Sequence, residues 1–311
     1  MPSSEAAVRR RRSKNAGKLK REIPLMLMLL PGIAIVFIYA YLPMFGIVMA
    51  FQRFNPVLSF WKSPFYGLGN FDYIFSMPYF FRAFRNSFII AFLKIIFGLS
   101  VPLVMALLIN EVTHSKLKRI VQTSYFLPYF IGWSVLGGVV IQIFGLDGPI
   151  NTIIRLTGND PVLFMGSNAW FRQILVITDV WKGMGYNIII FLAAITNIDP
   201  ALYEAVSIDG ANRIRQTWHV TLPGMAPIIV LVATLSIGGL LNAGFDQIFI
   251  LYNPLVYETG DIIDTYVYRI GLLEGKLAPA AAAGLFRSVL SLVLVGAAYY
   301  TAYKVSDYRI F

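Results

Sequence analysis

The residues of this chain that could do chemistry lie in stretches where a lipid-facing helix would carry none. One cluster holds Asp179, Trp181, Lys182, Tyr186 and Asn187. A second holds Asn242, Asp246 and Gln247 beside Gly238, Gly239 and Gly244, and a third places Gln142 near Tyr129 and Trp133. Polar groups in apolar stretches are costly to bury and are functional candidates by default. Aromatic faces and amide side chains together suit sugars, whose C–H faces stack on rings while their hydroxyls take amide hydrogen bonds. For any single residue, hydrogen bonding between helices or placement at an interface is a sufficient explanation. As a set, with glycines opening room around Asn242, they outline a solute path.

The types of residue that are missing narrow the chemistry to binding. The chain has no cysteine, so disulfides, thiolate metal sites and cysteine nucleophiles are excluded. Its two histidines, His114 and His219, are too far apart in sequence to suggest a metal site by spacing. There is no HExxH metal motif, no GxSxG nucleophile turn and no GxxxxGK[ST] phosphate loop. Gly183-Met184-Gly185 lies inside an apolar run, where small residues let helices approach. No catalytic residue, metal ligand or cofactor site is therefore expected within the chain itself.

The elements that must position these groups follow from composition. The chain is 57% hydrophobic and 14% charged, with a mean hydropathy of +0.67, too apolar for a water-soluble core to absorb. This predicts an all-α integral membrane protein. Stretches near 23–49, 87–110, 120–144, 170–196, 224–245 and 279–303 are each long enough for the roughly 20 helical residues that cross a hydrocarbon core of about 30 Å. Pro31, Pro43 and Pro102 are tolerable within membrane helices, where neighbours re-satisfy the freed carbonyls. The chain divides into a basic arm over 1–22 and a six-helix domain over 23–311.

Basic residues set the orientation. Arg9, Arg10, Arg11, Arg12, Lys14, Lys18, Lys20 and Arg21 precede the first span. Lys116, Lys118 and Arg119 follow the second, Arg213 and Arg215 follow the fourth, and Lys304 and Arg309 follow the last. They outnumber Arg53, Lys62, Arg82, Arg85, Arg155, Arg172, Arg269 and Lys276 on the other side, with Lys94, Lys182 and Arg287 near or within spans. Both termini and the segment 197–223 are thus expected in the cytoplasm. The arm reads as a topology determinant that also touches anionic lipid, and not as a nucleic-acid tail. The first apolar stretch runs past the length of a cleaved signal and is expected to stay as a span.

The segment 197–223 is the polar interruption with the most pattern. Asp199-Pro200 is a helix N-cap followed by a proline at the first helical position, and Asp209-Gly210 ends that helix at a residue tolerant of positive φ. A second short helix is expected over Ala211 to Thr221, before Pro223 begins the next span. Two stubby helices meeting at a glycine elbow make a knob able to enter a groove on another protein.

Glu204, Ala205, Gly210, Leu222 and Pro223 fall on a spaced pattern that resembles the EAA loop of ABC-importer permeases, with Asp209 and Ala211 flanking its glycine. Val206 replaces the second alanine of that pattern and Val220 an isoleucine. The remaining length resembles the sugar-importing branch of the family. The matching pieces are Leu30-Pro31-Gly32, Phe126-Leu127-Pro128, Trp181-Lys182 with Asn187, Phe245-Asp246-Gln247 and Val305-Ser306-Asp307-Tyr308.

The resemblance implies a type I ABC-importer permease fold in a bacterial cytoplasmic membrane. It also implies a second homologous permease, a cytoplasmic ATPase dimer that binds the ATP and Mg, and an extracytoplasmic sugar-binding protein. Segment 197–223 would be the coupling loop, with Glu204 facing a basic group on the ATPase and Gly210 permitting close approach. The implied activity is import of an oligosaccharide by alternating access, in a subunit that is not itself an enzyme. An importer for amino acids or phosphate is the alternative within the same machinery, and an ion-coupled secondary transporter is the alternative outside it. Outside the membrane, the aromatic stretch 50–86 is expected to lie along the outer surface, and 246–278 to form a polar docking loop. The short 145–169 segment leaves no room for the extra outer domain of some maltodextrin permeases.

Overall fold

A computed structural model describes residues 22–239 and 241–306. The basic arm over 1–21, with its eight cations, and the tail residues Asp307, Tyr308 and Arg309 lie outside the described residues. Among the described residues the structure is helical, with one isolated antiparallel bridge between Gln52 and Phe65. Among the described residues, six helical stretches are long and apolar enough to cross a membrane.

The first, α1 (Glu22–Phe51), changes its winding midway. A wide π turn over Phe37–Tyr41 passes into a tight 3-10 stretch over Leu42–Phe51 with Pro43 in its first turn. Proline cannot donate to the helical ladder, so the change of hydrogen-bond spacing falls where the donor is missing. The tight half packs on the last helix, while residues 22–42 are exposed all round.

A short helix α2 (Gly69–Ser76) leads into α3 (Pro78–Asn110), which begins well before the expected 87. Pro78 is suited to a first turn, and Phe80, Ala83 and Asn86 bury that early part of the helix. At 1.5 Å per residue α3 reaches about 50 Å, longer than the hydrocarbon it crosses. The aromatic stretch before it is a bridge and short helical turns leading into this helix.

The third span departs most from expectation. Helix α4 (Ser115–Phe126) tightens over Leu127–Phe130, the chain becomes extended at Ile131 and Gly132, and α5 (Trp133–Ile143) starts afresh. Pro128 again removes a donor. The apolar stretch able to cross therefore runs from Trp133 to Leu156, through α6 (Pro149–Leu156), and not over 120–144.

Helix α7 (Phe171–Thr196) packs along α3 for much of its length. Helix α8 (Pro200–Ile208) follows, then α9, which spans Arg213–Ile237 without a stop. The second stubby helix expected to end at Thr221 is thus the start of the fifth span. A π turn over Thr217–Thr221 widens the winding just before Pro223, the position that cannot donate. The fifth span also ends earlier than 245, because the backbone leaves the helix after Gly238 and restarts as α10 (Phe245–Leu251). Helix α11 (Ile263–Tyr268) and α12 (Leu277–Ser306) complete the chain.

Apolar packing falls into three groups. Phe80, Tyr266 and Ala283 pack at the end of the bundle bearing segments 52–86 and 253–276. Ile90, Phe171 and Ile248 form a second group, which joins α3, the start of α7 and α10. Ala106, Phe191 and Met225 pack at the end bearing α8.

Candidate functional site

The elbow between α8 and α9 is built from local hydrogen bonds. Asp199 accepts from the Ala201 amide at 2.9 Å, capping α8. At the other end, the Ala211 amide donates to the Val206 carbonyl at 3.1 Å and the Gly210 amide to that of Ser207 at 3.0 Å. This pair of bonds is a Schellman motif, which needs a left-handed residue between them; Gly210 supplies it with φ +77°. Asn212 then caps α9 by accepting from the Arg215 amide at 2.9 Å. The two limbs are tied by Gln216 donating to Ser207 at 2.9 Å and by a 3.0 Å bond between the Tyr203 and Thr221 hydroxyls.

Glu204, Ala205, Asp209 and Pro223 are exposed on this elbow, and Ala211 and Leu222 half-buried. Glu204 lines a shallow cavity with Glu111 and Arg213, whose own ion pair spans 3.8 Å between the end of α3 and the start of α9. Ile208 is 87% exposed and Trp218 66% exposed, with Leu202 and Ile214 also open. Apolar groups of this size grouped beside a carboxylate form a surface suited to a partner groove.

The residues expected along the solute path separate into distinct places. Asp179, Gly183 and Asn187 recur every four residues on α7 and so share one face. With Lys94, Ser236, Asn242 and Gly244 they line a cavity of about 290 Å³. Part of the remaining wall is the irregular backbone after α9, a conformation tolerated at membrane depth only where it is buried in protein or faces a water-filled space. Gly244, at φ +89°, turns the chain into α10.

From sequence, Lys94 is one of three cations near or within spans and is not among the expected path residues. In the fold it is 9% exposed, and it donates to Asp179 at 3.1 Å, to the Ala243 carbonyl at 2.8 Å and to the Gln247 side-chain oxygen. Its signal in the sequence was a lone cation inside an otherwise apolar run, a placement that demands a partner.

Several expected path residues are elsewhere. Gln247 is fully buried and donates to the Leu175 carbonyl and the Thr178 hydroxyl, both at 2.8 Å, so it braces Lys94 and does not face the cavity. Tyr129 and Tyr186 stack at 5.4 Å, and Lys182 faces the Tyr129 and Trp133 rings and donates to the Tyr129 carbonyl at 3.0 Å. That cluster lies one helical step round α7 from Asp179 and does not line the cavity. Trp181 faces a separate apolar groove with Phe97, Val101 and Ile177. Gln142 and Asp246 are exposed and line neither space.

The expected docking loop over 246–278 also changes character. Asp261 is fully buried and binds Arg269 through two bonds of 3.0 and 2.6 Å. Burial alone would lower the Arg269 pKa, but the hydrogen bonds and charge of Asp261 hold it above the ordinary arginine value. Asp264 pairs with Arg287 of α12 at 2.5 Å, although burial still raises its carboxyl above the usual range. Asn86 donates to the carbonyls of Glu258 and Asp261 at 2.9 and 3.1 Å, and Arg172 donates to Asn86 at 3.1 Å. These charges and amides brace α3, α7 and α12; Glu258, Glu274 and Lys276 remain at the surface.

A family model described as binding-protein-dependent transport system inner membrane component matches residues 98–307. Protein LplB of Bacillus subtilis (strain 168) is 39% identical over 294 residues, covering 94% of this chain and 92% of its own. The polygalacturonan/rhamnogalacturonan transport system permease protein YteP of the same organism is 36% identical over 313 residues, covering 100% and 98%. A chain of a bacterial ABC transporter involved in the import of the acidic polysaccharide alginate superimposes with a TM-score of 0.86 at 36% identity, covering 94% of this chain and 99% of that one. A second structure of a bacterial alginate ABC transporter, in complex with an alginate pentasaccharide-bound periplasmic protein, matches at 35% identity and the same TM-score.

Proposed function

This chain belongs to the family of binding-protein-dependent transport system inner membrane components, and on that premise we propose how its cavity and elbow divide the work of transport. It is a multi-pass permease subunit of an ABC importer for oligosaccharides, and a transport subunit, not an enzyme. The elbow is the point where a cytoplasmic ATPase acts, and ATP and Mg bind on that partner. The cavity beside Asp179, Asn187 and Asn242 is part of the path the sugar takes. A second permease completes the path, and an extracytoplasmic binding protein delivers the sugar from the side bearing segments 52–86 and 253–276. This orientation puts both termini in the cytoplasm of a bacterial cell, as the distribution of basic residues supports.

The observation that carries the coupling role is the Schellman turn at Gly210, which holds α8 out from the bundle with Glu204 and Ile208 exposed. Tight limbs make α8 a lever. The π turn at Thr217–Thr221 passes force applied to α8 into α9, and α9 ends at the cavity. Alternating access then requires that the loaded binding protein and the ATP-bound ATPase each bind one global state better than the other.

The absence of cysteine makes the test direct. Glu204→Cys, crosslinked in native membranes with short reagents, is expected to capture an ATPase subunit with a yield that changes on adding ATP. Labelling from the cytoplasmic side without capture of an ATPase would remove the coupling role from this loop.

A further inference from the structure

The break after α9 leaves carbonyls without helical partners inside the membrane, and two cations from different helices take them. Lys94 of α3 donates to Ala243 at 2.8 Å, and Arg287 of α12 donates to Leu241 at 3.2 Å. Each cation is itself paired, Lys94 with Asp179 and Arg287 with Asp264. The residue between the two held carbonyls is Asn242, which is exposed at the cavity while Leu241 and Ala243 are buried. An unpaired carbonyl at membrane depth is costly, and charged hydrogen bonds are the stronger kind. With both flanking carbonyls held, the backbone at Asn242 is restrained, and with it the direction in which its Cα–Cβ bond leaves the chain.

We propose that Lys94 and Arg287 are positioning residues that clamp the backbone on either side of Asn242 and so aim its amide at the solute path. The inference rests on the reading that this cavity lies on the path. Gly244 fits the same role: a Cβ there would stand 2.8 Å from the Lys94 ammonium, so this position keeps room for the clamp. Neither cation is a free charge offered to the solute. Lys94 is enclosed by Asp179, Gln247 and Ala243, and Arg287 by Asp264 and Leu241.

Maleimide labelling in the assembled importer tests the clamp without knowledge of the sugar. Single cysteines are placed by Asn242→Cys, between the clamped carbonyls, and by Asn187→Cys, on the α7 wall. Lys94→Met or Arg287→Met is expected to change the labelling rate at position 242 by about tenfold, the scale of one lost charged hydrogen bond. The rate at position 187 should stay within about twofold, because it lies two helical turns along α7, about 12 Å, from Asp179, the only α7 residue that loses a partner to Lys94→Met. Lys94→Arg should restore the original rate at 242. An unchanged rate at 242, or equal changes at both positions, would overturn the clamp. If Lys94→Met does not assemble, the neutral pair Lys94→Met with Asp179→Asn gives the same readout. Normal oligosaccharide uptake by Asn242→Ala, with the labelling result as expected, would instead refute the cavity as part of the path and leave the clamp standing.

Discussion

The Lys94 ammonium lies 2.8 Å from the carbonyl oxygen of Ala243, joining the second span to the break after the fifth across 149 residues of sequence. Through Asp179 the same ammonium reaches the fourth span. The second, fourth and fifth spans therefore share one buried charge.

Gly244→Ala tests how closely that arrangement is built. The substitution puts a side chain at φ +89° and a Cβ against the Lys94 ammonium. The backbone term alone costs about 1–2 kcal/mol, and displacement of Lys94 adds to it. We expect a lower unfolding temperature of the purified complex together with loss of uptake.

At the elbow, Glu204→Lys reverses the exposed charge, and Gly210→Pro forces φ to about −65° where the Schellman turn needs it positive. Both should abolish uptake while leaving the protein in the membrane, as judged by immunoblot of washed membranes. Normal transport by both variants would be incompatible with a coupling role.

Asp261→Ala removes one half of a buried, doubly bonded ion pair and leaves Arg269 uncompensated. Breaking such pairs costs about 3–5 kcal/mol. The expected outcome is loss of stable protein in detergent, read by thermal unfolding, and not a selective defect in transport.

Trp181→Leu and Asn187→Ala separate the two faces of α7. Trp181 faces the apolar groove beside Phe97, so its replacement should leave oligosaccharide uptake near the parental rate. Asn187 lines the cavity and donates to the Gly98 carbonyl at 3.1 Å. Its loss should reduce uptake several-fold, on the order of 1 kcal/mol for a hydrogen bond. The reverse pattern would move the path to the Trp181 side.

Local chemistry made much of this protein legible from its residues. Runs of apolar side chains near 20 residues, interrupted by basic loops, specify six membrane helices because lipid leaves a backbone few other choices. Asp199-Pro200 and Asp209-Gly210 specify a capped elbow, since each bond of that turn reaches only a few residues along the chain. Non-local contacts decided the rest. Pro223 was a plausible helix start in sequence, yet a π turn carries α9 through it. Asp179, Lys182 and Gln247 look alike as polar groups in apolar runs, but the turn of each helix and the packing of α3 against α7 send them to a cavity wall, an aromatic stack and a buried brace. The backbone partner of Lys94 could not be read from its own span, because the carbonyl it holds becomes available only where a distant helix breaks, and only the tertiary structure brings the two together.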